Sequence, residues 1–253
     1  MNKKSFIPFL VVASMFVGCG SENKLQSDNP LLAAYETPFN VPPFDKIKDE
    51  HFKPAFEEAL KQHNLEIDSI VNNADEATFE NTILALENAG SLLSNVSTVF
   101  YNLNSANTND SIQSLAKELA PQISAHSDEI SLNGKLFERV KSVYANKDKF
   151  ALDAEDLKLL EETYKGFVRS GANLSDADKE SLKKINSELS VLTTQFGQNL
   201  LAETNAYELV VENKEDLAGL PEGLVSAAAD VAKAKGKEGK WVFTLSNPSV
   251  MPF

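Results

Sequence analysis

The stretch between Ser175 and Asn205 constrains this chain more than any other. Leu182, Ile185, Leu189, Leu192, Phe196 and Leu200 recur at spacings of 3, 4, 3, 4 and 4 residues. That period belongs to one face of an α-helix, and a strand, with its period of two, does not produce it. Ser175 stands where an N-cap belongs, with Asp178 in the place a capping box gives to Glu. A seam this regular is expected in a bundle or coiled-coil interface rather than on a lone surface helix.

The chain upstream repeats the theme. From Asp49, Phe52, Phe56, Leu60, Ile67 and Val71 form one stripe, with Glu57 and Lys61 as an i,i+4 pair on the wet face. Pro54 lies near the start, where a helix tolerates it. From Thr78, Phe79, Ile83, Leu86, Leu93, Val96, Phe100 and Leu103 mark a second helical segment, and Ala89-Gly90 within it suggests a close helix crossing. A third spans Asn109 to Ala145, where Pro121 is expected to kink or split it and Asn133-Gly134 to loosen it again. A fourth is expected around Asp156–Ser170.

After Asn205 the period drops to two. Tyr207, Leu209 and Val211 share one face, with Glu208 and Glu212 on the other. Pro221 opens a helix that Gly236 closes, and "KWVFTL" from Lys240 is a second strand. The expected fold is mainly α: long amphipathic helices over residues 29–205, then a strand-helix-strand segment over 206–253. At the end, Asn247-Pro248 is a helix-start signal with too few residues after it to nucleate a helix, which reads as a sequence continuing in a longer parent.

The first residues carry an address. Lys3 and Lys4 precede an apolar run from Phe6 to Val17, and Gly18-Cys19 closes it. The run is too short to span a bilayer well and reads as the core of a signal, over residues 1–18. Cys19, the only cysteine, is where a bacterial lipoprotein is acylated, although Phe16 stands where Leu is usual. The expected product is an exported lipoprotein, facing the periplasm and held to a membrane through Cys19, with residues 19–28 as a polar tether. A lone cysteine permits no internal disulfide. Loss of Lys3 and Lys4 takes the formal charge from −13 to −15. Such an acidic surface argues against nucleic acid, whose phosphates require clustered Lys and Arg.

Chemistry-bearing patterns are sparse. His51, His63 and His126 are the three histidines, and none sits in H-E-x-x-H, which places two metal ligands on one helical face. "HSDEI" at His126–Ile130 pairs His with Glu but lacks a second His, so His126 reads as a half-buried helix residue continuing the Ile123/Ile130 stripe. No G-x-S-x-G, phosphate loop or dinucleotide fingerprint occurs. The residues themselves nominate no catalytic or metal-binding group and no cofactor.

Three phrases in order nonetheless resemble a known family: "NPLL…TPFNVPPFDKIKDEHFKPAFEEAL" (29–60), "TFENTILALENAGSLLSNVSTVFYNL" (78–103) and "WVFTLSNPSVMPF" (241–253). They are similar to the thimet-oligopeptidase family of zinc metallopeptidases, most of all its peptidyl-dipeptidase branch. The resemblance implies the N-terminal half of a two-lobed, mostly helical enzyme that releases dipeptides from the C-termini of short peptides. This half would supply one wall of the substrate channel and would be inactive alone. Zinc would belong to the complete enzyme, in a C-terminal catalytic half that would be this chain's partner. The alternative is a non-catalytic helical lipoprotein that binds peptides or a protein.

Overall fold

A computed structural model describes residues 28–253, so the expected signal, Cys19 and most of the tether lie outside the described residues. The expectation of a mainly helical chain with a small β element holds. In order come α1 (Asp49–Val71), a π-helical segment (Phe79–Leu84) running into α2 (Ala85–Asn88), α3 (Ser91–Ala106), α4 (Asp110–Ser131) and α5 (Gly134–Ala145). They are followed by α6 (Ala154–Arg169), α7 (Asp176–Ala206), β1 (Leu209–Val211), α8 (Glu222–Ala234), β2 (Trp241–Phe243) and a single turn, α9 (Asn247–Val250).

Polar side chains start five of these helical segments. Asn109, Asn133, Asp153 and Ser175 each accept a hydrogen bond from a backbone N–H of the first turn, satisfying donors the helix itself cannot. At Thr78 the box is complete, with Asn81 reaching back to the Thr78 N–H. At Ser175 it is half made: the serine hydroxyl donates to the Asp178 carboxylate at 2.7 Å, which keeps that shorter acid off the backbone.

Several local expectations are corrected. Pro121 does not split its segment, because α4 continues through it to Ser131. The buried Ile112, Leu115 and Leu119 stripe holds the helix where one backbone bond is missing. The break falls at Leu132-Asn133, where Asn133 caps α5. Ala89-Gly90 also ends a helix, Gly90 taking a left-handed φ of 73°, and the close approach expected there is made by His63 of α1. Lys61 pairs with Glu58, not Glu57, at 3.3 Å. Pro221 is the cap of α8, which begins at Glu222. The closing start signal does form a helical turn, capped at Ser246 and not at Asn247.

The described residues divide into two compact units, the first comprising those up to Asp68 together with Asn88–Leu103. Its core is aromatic: Phe52 and Phe56 meet Phe100 edge to face, with ring centroids 5.1 and 5.4 Å apart. Leu31, Ala55 and Ala59 are buried around them. Asn29, itself buried, fastens the leading segment by donating its side-chain amide to the His51 carbonyl at 2.7 Å.

The second unit comprises Ser69–Glu87 and Asn104–Phe253. Here α5 packs on α6 through Phe137, which stacks on Tyr164 and Phe167, and Tyr144 stacks on Tyr164 with centroids 4.1 Å apart. α4 and α7 lie side by side. At the C-terminal end β1 and β2 pair antiparallel, Leu209 opposite Phe243 and Val211 opposite Trp241. Two short strands are marginal alone, and α8 supports them by packing Leu224 and Ala228 with Leu217 against Phe243. Glu208 and Glu212 leave the other face to meet Lys235 and Lys237, and Lys240.

Candidate functional site

The three histidines sit in separate places and engage ordinary neighbours. His51 Nδ1 accepts a bond from the Lys48 N–H at 3.1 Å. His63 lies against Gly90, and burial lowers its pKa while Glu66 partly offsets this. His126 is buried on α4, as its place in the apolar stripe implies. Among the described residues no three His, Cys, Asp or Glu side chains converge as metal ligands, so these residues do not fit a zinc site. The carboxylates follow surface logic. Glu162 is pulled down to about 2 by hydrogen bonds from Lys158 and then Lys165, the reverse of what a general acid at neutral pH requires.

What the structure does present is an uncovered apolar face. α7 contains no buried residue. The seam that defines it stands in solvent: Ile185 is 60% exposed, Leu189 58%, Leu192 54%, Phe196 69% and Leu200 56%. Full burial of such a side chain contributes roughly 1.5–3 kcal/mol, so a sizeable stabilisation goes unused along this helix. Monomeric proteins seldom leave such rows uncovered.

The geometry explains how α7 is held without its seam. It meets α4 through polar groups. The Asn186 amide donates to the Asp128 carboxylate at 2.7 Å, Gln198 donates to the Gln113 carbonyl at 2.9 Å, and Lys179 reaches the Leu132 carbonyl at 3.1 Å. The seam was legible in the sequence as a bundle-type face, and most of it is uncovered among the described residues. Beside it runs a hollow of about 540 Å³ bounded by Lys184, Glu188, Val191 and Leu192, with its lining drawn from α7 alone.

A second hollow, about 580 Å³, lies in the first unit between the Leu31–Tyr35 segment, Gln62, Leu92 and Asn95. Burial raises the Tyr35 phenol above its ordinary value of 10.0. No helix of the described residues is long and apolar enough to cross a membrane.

No family model matches the chain. It is 41% identical over 226 residues to dipeptidyl carboxypeptidase of Salmonella typhimurium, covering 89% of this chain and 33% of that protein. The Escherichia coli dipeptidyl carboxypeptidase is 40% identical, with 88% and 33% covered. Oligopeptidase A of Haemophilus influenzae is 29% identical, with 90% and 33% covered. The chain thus spans about a third of the length of the curated relatives it matches. This agrees with the resemblance carried by residues 29–60, 78–103 and 241–253: the chain is homologous to a portion of the dipeptidyl carboxypeptidases and oligopeptidases A of the thimet-oligopeptidase family.

Proposed function

We propose that this chain is the N-terminal portion of a zinc-dependent peptidyl-dipeptidase that removes dipeptides from the C-termini of short peptides. The observation that carries the reading is 41% identity over 89% of the chain to a dipeptidyl carboxypeptidase. In this reading its helices form a wall of the substrate channel, and zinc and its ligands belong to the remaining part of the enzyme. The chain's own contribution is to bound the space a peptide enters and to keep folded proteins out. An acidic chain, at formal charge −13, also suits cationic peptides better than anionic ones.

The chain alone is inactive in this reading. Purified and incubated with a blocked tetrapeptide and added zinc, it should release no dipeptide. Turnover that disappears on chelation would overturn the proposal.

The proposed location is the periplasmic face of a membrane, through acylation of Cys19. The support is the Lys3-Lys4 start, the Phe6–Val17 run and the placement of the single cysteine. In a bacterial host, labelled fatty acid should enter the wild-type chain and not Cys19→Ser, which should leave the membrane fraction. Equal labelling of both would remove the lipoprotein reading.

A further inference from the structure

We infer that the exposed part of the α7 seam, from Ile185 to Leu200, is a docking face, and that its occupant is an amphipathic helix of the polypeptide making up the other two thirds of the enzyme. The inference rests on the proposed function, and it assigns the contact to particular residues.

Three observations converge on that occupant. First, the helix is already tied down on its other side. Asn186, Gln198 and Lys179 spend its polar groups on α4 and the Leu132 carbonyl, so the apolar row is left over by construction and not by looseness. Second, the row has the dimensions of a helix-helix contact. Ile185 to Leu200 is about 22 Å at 1.5 Å per residue, and spacings of three and four present knobs for a facing helix. A shallow hollow along Glu188, Val191 and Leu192 lies beside that row. Third, the relatives are about three times as long as the portion matched here, so the homologous proteins contain ample further chain to supply it.

A second copy of this chain fits less well. It would bring another −13 of formal charge to the contact, and like-signed surfaces oppose association. A polypeptide of different charge carries no such penalty.

The test uses the 253-residue chain co-expressed with a tagged polypeptide: the two thirds of Escherichia coli dipeptidyl carboxypeptidase that this chain does not match. That protein's own matched third serves as the control partner. The wild-type chain should co-purify with the tagged polypeptide. The double variant Leu189→Glu, Phe196→Glu should bind roughly 100-fold more weakly, with its circular dichroism and urea midpoint unchanged. Because both side chains are more than half exposed, the substitutions should not disturb the fold.

Equal binding by wild type and variant overturns the docking face. So does failure of the wild-type chain to co-purify when the control third does. A wild-type homodimer in sedimentation, abolished by the same substitutions, also overturns it and assigns the seam to a second copy. Dipeptide release by the co-purified complex separates the two proposals: a complex that forms through the seam yet hydrolyses no peptide sinks the peptidase reading and leaves the docking face standing.

Discussion

The Asn186 side-chain amide donates to the Asp128 carboxylate at 2.7 Å, while Ile185, one residue earlier on the same helix, is 60% exposed. Adjacent positions on α7 therefore do opposite things. Asp128 is buried, and its second oxygen has no hydrogen-bond partner. A buried acceptor stripped of its donor carries the whole cost of its desolvation, about 1–3 kcal/mol. Asn186→Ala should thus destabilise the fold by about that amount in urea unfolding. Ile185→Ala, on the solvent side, should stay within about 0.5 kcal/mol of wild type apart from a small propensity gain. Equal losses would mean that the seam is buried in solution.

Gly90 is fixed by both its backbone and its neighbour. Its φ is 73°, and an added Cβ would lie 2.7–2.9 Å from three atoms of the His63 ring. Its N–H also donates to the Glu66 carboxylate at 2.7 Å. Gly90→Ala should cost at least about 1–2 kcal/mol from the left-handed backbone alone, with the steric contact added. Removing the ring by His63→Ala in that background should recover the contact part and not the backbone part. A double-mutant cycle on thermal unfolding separates them.

His63 also gives the first unit a signed response to acid. Burial lowers its pKa below the ordinary 6.5, with Glu66 opposing. The unfolded chain therefore takes up the proton first as pH falls through 6.5. Stability should decline below that point and level off once the pH is under the folded-state value, where both states are protonated. The difference in melting temperature between wild type and His63→Gln should shift against the wild type between pH 7.5 and roughly 5. A difference that is flat with pH would contradict the lowered pKa of this half-buried ring.

How far the sequence discloses this fold depends on what each signal reports. Caps are local, so Asn133 and Ser175 mark true helix starts through bonds made within one turn. Pro121 misleads because its missing donor is a local cost, and the buried stripe of α4 outweighs it. The spacing at Glu57, Glu58 and Lys61 permits two pairs, and side-chain rotamers choose the nearer. The seam of α7 shows the deepest limit. Periodicity tells which side chains share a face, and nothing in a period says whether the partner is encoded nearby or elsewhere. The residue patterns themselves nominated no catalytic group. Ordered phrases such as "TFENTILALENAG" bore the functional signal instead, as a relation to other proteins.

Arg139 shows a purely tertiary device that no motif announces. Its guanidinium donates to the Asn73 carbonyl at 3.0 Å, the Asp75 carbonyl at 3.2 Å and the Asn81 side-chain oxygen at 3.0 Å. That same Asn81 oxygen accepts the Thr78 N–H in the capping box, so one side chain of α5 braces both the loop before the π-helical segment and its first turn. A lysine keeps the charge but offers one compact group where the fork makes three directed bonds. Arg139→Lys should therefore lose about 1.5–3 kcal/mol in urea unfolding, as hydrogen bonds from a charged donor are lost. Amide exchange should speed up at Thr78 and Asn81 before it does in α7, because the brace acts on that turn and not on the α4–α7 pair. If Arg139→Lys leaves exchange at Thr78 unchanged, the cap stands without its brace and the three contacts contribute nothing to holding it.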